Sequence, residues 1–252
     1  MANWMMIVFV SCFCASRVEC YPHRLMLSKT RLPRRQDGDA YFELVRARPH
    51  VAKTRLEQPL ESRVDMAIMG QVAIGTPPQN MTVVVDSGSS DLWVPSSRCE
   101  WCHRGASSSN KFFDVDKTST FEVLQSHATL VSKNIFYGSG RVEGVVGRDT
   151  VEFAGVEFVK QPFILAEKAQ MVPFGHLWDG ILGLGQPAIS VTKAPFYLQL
   201  KSHGITPLFT FVPIEAGEHV QLLIGDGEYE SYIIQETLTW LPVASDGLWS
   251  VD

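Results

Sequence analysis

The sequence predicts an all-β protein, a sandwich or barrel built from many short strands. From about residue 66 the chain breaks into short β-branched or aromatic runs: MAIMGQVAIG, MTVVVD, RVEGVVG, DTVEFAGVEFV, QPFILA, LFTFVPI and VQLLIG. Gly, Pro, Asn and Asp stand between them, the pattern of strands joined by turns. A single stretch, APFYLQLKSHG at 194–204, has the pattern of a short helix, with Gly204 as its stop signal. With 45% hydrophobic and 19% charged residues, the 252-residue chain has the composition of a folded protein rather than a disordered one.

The elements before residue 66 are of another kind. Trp4–Ala15 is an apolar run of about 12 residues, too short to cross a bilayer and the right length for the apolar region of a signal peptide. Small residues follow at Ala15 and Ser16, so residues 1–16 are expected to be a cleaved leader. A signal anchor and a buried strand are the alternatives, because the run lacks a preceding Lys or Arg. No second membrane segment follows, so no stable membrane insertion is expected after cleavage. Residues 17–65 hold 11 Lys/Arg against 7 Asp/Glu, a net of +4, whereas residues 66–252 hold 11 against 20, a net of −9. A basic segment over 17–60 that lies on an acidic body fits this sign change. The overall net charge of −5 removes the electrostatic footprint of a nucleic-acid binder.

Of the five cysteines, Cys12, Cys14 and Cys20 lie in or just after the leader. Cys99 and Cys102 lie in the body. In an oxidising compartment they would pair as a local disulfide; a redox CxxC and half of a zinc site are the other readings. No second CxxC or HxxxH is nearby to complete four ligands, so no metal is expected. Asn80-Met81-Thr82 has the form of an N-glycosylation sequon after a Pro-rich turn, although such triplets also arise by chance.

The chemistry is concentrated in Ile74-Gly-Thr-Pro-Pro-Gln…Val-Val-Val-Asp86-Ser-Gly-Ser-Ser-Asp-Leu-Trp93-Val-Pro-Ser96. A three-valine strand runs into Asp86, and a small hydroxyl-rich loop, Ser87, Gly88, Ser89 and Ser90, follows. Gly88 lets the backbone approach closely, and the hydroxyls can donate to a carboxylate. Donors around a carboxylate keep it ionised and oriented, as a general base requires.

This stretch resembles the first active-site motif of the pepsin-like aspartic endopeptidases. The likeness continues in register. Tyr137-Gly138-Ser-Gly140 resembles the family's flap, and Arg141–Asp149 its descending strand. Trp178-Asp-Gly-Ile-Leu-Gly-Leu-Gly185 resembles the segment that threads beside the catalytic loop. Leu208–Phe211 and Leu223–Gly225 resemble the strands that link two lobes, while Leu238–Val243 and Trp249 resemble the opening of the second lobe. The basic stretch HRLMLSKTRLPRR is similar to the pro-segment of such zymogens. The resemblance implies a bilobed acid-protease fold with a barrel-like N-terminal lobe over 61–228 and an incomplete C-terminal lobe over 229–252.

It also implies roles. Asp86 would be one of two carboxylates that share a proton and activate a water, with Ser87, Gly88 and Ser89 supporting it. Tyr137 and Gly138 would cover the substrate, and the Trp93 indole would hold the Tyr137 hydroxyl. Substrates would be polypeptides, no cofactor would be needed, and the destination would be the secretory pathway: the extracellular space or an acidic vacuole or lysosome. Asp179 would be a structural acceptor at a Gly turn.

The family mechanism needs a second D-[ST]-G. Asp37, Asp179, Asp226 and Asp246 each precede Gly directly, without the Ser or Thr between. The expectation is therefore an incomplete copy of an aspartic endopeptidase. The alternatives are an inactive peptide-binding lobe, or a homodimeric protease to which each chain contributes one Asp86. A serine hydrolase is disfavoured, because no G-x-S-x-G is present. Ile68 departs from the Tyr usual in the family's first strand.

Overall fold

A computed structural model of the chain describes residues 5–10, 24–29, 56–62, 68–99, 102, 111–138, 140–171, 178–214, 219–225, 239–242 and 247–249. The leader's cleavage region at Ala15 and Ser16, Cys12, Cys14 and Cys20, Asp226, Asp252 and most of the basic segment lie outside them.

The described chain is β throughout, as expected, with one short α-helix. In order the strands are β1 Met5–Val10, β2 Arg24–Lys29, β3 Leu56–Ser62, β4 Ile68–Ile74, β5 Gln79–Asp86, β6 Leu92–Pro95, β7 Glu122–Val123, β8 Gln125–Ser126, β9 Thr129–Leu130, β10 Ser132–Tyr137, β11 Gly140–Phe153, β12 Val156–Met171, β13 Gly180–Gly183, β14 Leu208–Ile214, β15 His219–Ile224 and β16 Thr239–Pro242. Fourteen of these join one sheet, ordered β10-β11-β12-β6-β13-β5-β4-β3-β15-β14-β1-β2-β16 with β7 attached to β11; β8 and β9 pair apart. The stretch expected to be a leader thus forms β1, which lies between β14 and β2.

Strand β5 shows how the pattern produces the fold. Met81, Val83 and Val85 are buried, while Asn80, Thr82, Val84 and Asp86 alternate with them on the opposite face. β5 pairs antiparallel with β4 on one side and parallel with β13 on the other. The Gly-Ile-Leu-Gly of β13 is buried at every position because the strand is enclosed between β5 and β6. A Cβ at Gly180 would lie 2.2 Å from the Trp93 carbonyl oxygen, and no side chain fits there.

Two apolar cores form. One gathers Ile74, Met81, Val83, Phe153, Phe163 and Phe196; the other gathers Met69, Trp93, Ile135, Val142, Ile164 and Trp178. The helix, α1, spans Phe196–Ser202 and packs Phe196 edge-on against Phe153 and Phe158 at ring distances of 5.4 and 4.9 Å. It is shorter than the 194–204 that the apolar pattern predicted. Pro195 stands just before it in an extended conformation, φ −63° and ψ 160°, and a residue preceding proline is driven out of the helical region, which excludes Ala194.

Candidate active site

Asp86 is the last residue of β5, and its carboxylate is half-buried at the strand's end. Each oxygen has a donor from the following loop. The Gly88 amide donates to Oδ1 at 2.8 Å, and the Ser89 hydroxyl donates to Oδ2 at 2.5 Å. Ser89 is buried and Ser87 half-buried, while Gly88 is exposed. The two donors fix the plane of the carboxylate.

The loop is held by the end of β13 and the two residues after it. The Leu184 amide donates to the Asp86 carbonyl at 2.7 Å, and the Gly185 amide donates to the Ser89 carbonyl at 2.7 Å. A Cβ on Gly183 would come within 2.6 Å of the Ser89 carbonyl oxygen and the Asp91 nitrogen, so this contact is available to glycine alone. The Ser90 hydroxyl donates to the Gln186 carbonyl at 2.6 Å, and Gln186 donates through its side-chain amide to the Leu248 carbonyl at 3.1 Å. The Trp249 indole donates to the Leu184 carbonyl at 3.1 Å. The 247–249 segment thereby braces the strand that braces the loop.

Sequence reasoning missed Asp91. Its carboxylate is buried and receives the Ser190 hydroxyl at 2.7 Å, the Val191 amide at 2.7 Å, the Thr192 amide at 3.2 Å and the Thr192 hydroxyl. It ties the far end of the Asp86 loop to a segment about a hundred residues later. The signal was faint: an acidic residue just before an apolar Leu-Trp-Val run, with no visible partner. Asp179 accepts the Thr82 amide at 2.7 Å and the Lys111 amide at 2.8 Å, which is a structural use of its carboxylate.

Above the loop stands the hairpin of β10 and β11, whose last pair is Tyr137 opposite Gly140. The Trp93 indole donates to the Tyr137 hydroxyl at 3.0 Å. Trp93 is fully buried and meets Trp178 edge-on at 6.1 Å. Burial pushes the Tyr137 hydroxyl's pKa well above the ordinary tyrosine value. The Asp86 carboxylate acts in the same direction, while hydrogen bonds to Ser89 and Trp93 oppose it. The structure therefore brings Asp86, Ser89, Trp93 and Tyr137 into one neighbourhood. Gly138 is exposed, and a Cβ there would meet nothing within 4 Å.

Cys99 and Cys102 are buried and joined by a disulfide, with Cα atoms 5.3 Å apart. Asn80 lies away from this group, exposed near the start of β5. Among the described residues, no three His, Cys, Asp or Glu side chains gather where they could hold a metal ion. Nor is any helix among them long and apolar enough to cross a membrane.

A strand-end Asp-Ser-Gly-Ser loop, braced by a glycine strand and faced by a tyrosine hairpin, defines a class. A family profile described as "Eukaryotic aspartyl protease" matches residues 67–252. The chain belongs to that family. Among curated proteins it is similar to Pepsin A of Suncus murinus, 36% identical over 210 residues, which is 81% of this chain and 51% of the relative. Pepsin A of Sus scrofa is 35% identical over 209 residues, with the same coverage. Pepsin II-1 of Oryctolagus cuniculus is 36% identical over 196 residues, covering 76% of this chain and 48% of the relative. The chain spans about half the length of the curated relatives it matches.

Proposed function

We propose that this chain carries the first of the two carboxylates of an aspartic endopeptidase that hydrolyses polypeptides. The observation that supports it is the Asp86 carboxylate, one donor on each oxygen, lying beneath the Trp93–Tyr137 hydrogen bond. In the proposed reaction one carboxylate removes a proton from water as the water oxygen attacks the peptide carbonyl carbon. The second, protonated, carboxyl delivers its proton to the carbonyl oxygen. Two close carboxylates share one proton because they cannot both ionise readily, and they titrate as a pair. No covalent bond to the enzyme forms, and neither a metal nor an organic cofactor is required. Tyr137 closes over the peptide and excludes water.

The partner carboxylate would come from a second D-[ST]-G, a motif that residues 1–252 do not contain. The proposed organisation is a leader at 1–16, a basic pro-segment at 17–60, the catalytic lobe at 61–228 and the opening of a second lobe at 229–252. In this reading the protein enters the secretory pathway and works outside the cell or in an acidic vacuole or lysosome. Cleavage of a peptide substrate at acidic pH by the chain joined to a segment that carries the second D-[ST]-G, blocked by a statine-type inhibitor, is the direct assay. Asp86→Ala is expected to abolish that cleavage; activity that survives the substitution refutes the assigned role.

A further inference from the structure

Asn80-Met81-Thr82 is the single Asn-Xaa-Ser/Thr sequence in the chain, and the endopeptidase chemistry makes no use of it. We propose that Asn80 carries an N-linked glycan, and that the glycan is attached before the β4–β5 hairpin forms. The proposal rests on the secretory reading above.

The position suits a large polar group. Asn80 is exposed and follows the exposed Thr76-Pro77-Pro78 turn that joins β4 to β5. It shares the outward face of β5 with Thr82, while Met81 between them is 1% exposed and fixed in the core. Asp86 lies six residues further along the same strand, about 20 Å away at about 3.3 Å per residue. A glycan on Asn80 therefore stands at the far end of the strand from the carboxylate and leaves the site open.

The same geometry sets the timing. In transfer, Nδ2 of Asn80 bonds to the anomeric carbon of a lipid-diphosphate-linked oligosaccharide. The anomeric carbon–oxygen bond breaks, its electron pair leaves with the lipid diphosphate, and the amide loses one proton to solvent. Recognition of the triplet needs the chain bent so that its carboxamide and hydroxyl reach the transferase together. In the folded protein the triplet is extended, and side chains two apart on a strand stand about 6.6 Å apart. Asn80 is paired with Ala73 and Thr82 with Gln71. The Thr82 hydroxyl accepts the Gln71 side-chain amide at 2.8 Å, its backbone amide donates to Asp179 at 2.7 Å, and its carbonyl accepts the Asp179 amide at 2.6 Å. Bending the triplet would break these bonds and pull Met81 from the core.

The test is synthesis of the full chain in a cell-free system with microsomes, read by protease protection and by gel mobility with and without an endoglycosidase. The expected result is a protected chain with one glycan's mobility shift. Asn80→Gln and Thr82→Ala lose the shift, and Thr82→Ser keeps it. A protected chain without the shift, or a shift that survives Asn80→Gln, overturns the proposal. A chain that stays protease-sensitive refutes the secretory reading instead. A second arm then decides on Asn80 without import: full chain, folded or unfolded in urea and diluted, is given to detergent-solubilised transferase with lipid-linked oligosaccharide. Modification of the unfolded chain alone supports the proposal. No modification of the unfolded chain refutes the site, and equal modification of both refutes the timing.

Discussion

The loop that follows Asp86 and the hairpin that faces it are built in opposite ways. The loop is clamped from every side. Its carboxylate takes two local donors, its backbone is stitched to Leu184 and Gly185 just after β13, and its far end is anchored through Asp91 to 190–192. The hairpin tip is tied down through the Tyr137 hydroxyl, by hydrogen bonds to Trp93 and Ser89, and Phe136 beside it is 74% exposed. A proton-transferring carboxylate must be held to a fraction of an ångström, whereas a cover must let a peptide in and out. The number and burial of the contacts suit that division under the proposed function. The predictions below probe the clamped region first and the hairpin last.

The largest effect is expected at Asp91. Asp91→Ala removes the acceptor of the Ser190 and Thr192 hydroxyls and of the Val191 and Thr192 amides in a buried setting. Buried donors left without partners each cost about 1–3 kcal/mol, and water can reach some of them. The expected loss is about 3–4 kcal/mol, measured as a lower midpoint in urea denaturation with an unchanged slope. A loss below about 1 kcal/mol would show that the 190–192 tie does not brace the loop.

Next comes Gly183→Ala. The new methyl would lie 2.6 Å from backbone atoms of Ser89 and Asp91 in the loop, and Gly183 cannot move away without breaking its register with Asp86 or its amide's bond to the Asp91 carbonyl. Overpacking of this kind costs about 1–3 kcal/mol. The same methyl on Gly138, where nothing lies within 4 Å, is expected to leave the denaturation midpoint unchanged. The pair of alanine variants thus contrasts clamp and cover with identical chemistry.

Much of the clamp was legible in the sequence, for physical reasons. The Val-Val-Val-Asp-Ser-Gly run displays an apolar strand ending on a carboxylate with small donors after it, and all of that is local. The three-valine run marks the strand, while the structure selects Val83 and Val85 for the core and turns Val84 to the other face. Asp91 was not legible, because its partners lie about a hundred residues away and an Asp before an apolar run is common in turns. Met5–Val10 shows the same limit. An apolar run of six to twelve residues suits a leader and a strand equally, and nothing local announces the pairing that Met5–Val10 makes with Leu208–Thr210. The helix was found but drawn too long, since Pro195 outweighs the apolar pattern around it.

Apart from the neutral Gly138→Ala control, the smallest effect, and the one that isolates the hairpin, is expected from Tyr137→Phe. At neutral pH it removes the hydrogen bonds to the buried Trp93 indole and to Ser89, together worth about 1–2 kcal/mol. Above the ordinary tyrosine pKa of about 10 the difference changes with pH. Burial and the Asp86 charge raise the Tyr137 pKa in the folded state, so the unfolded chain loses this proton first. Between the unfolded and folded pKa values the native state binds more protons, and stability falls as pH rises. Below about 10 both states keep the proton and the group adds no pH dependence. The stability of the wild type should therefore fall more steeply than that of Tyr137→Phe once pH exceeds about 10. Spectrophotometric titration of the native proteins should agree: near pH 11 both show the same number of ionised tyrosines, because the one removed had not yet ionised. If Tyr137→Phe lowers the count at that pH, the hydroxyl is open to solvent and the hairpin does not cover Asp86.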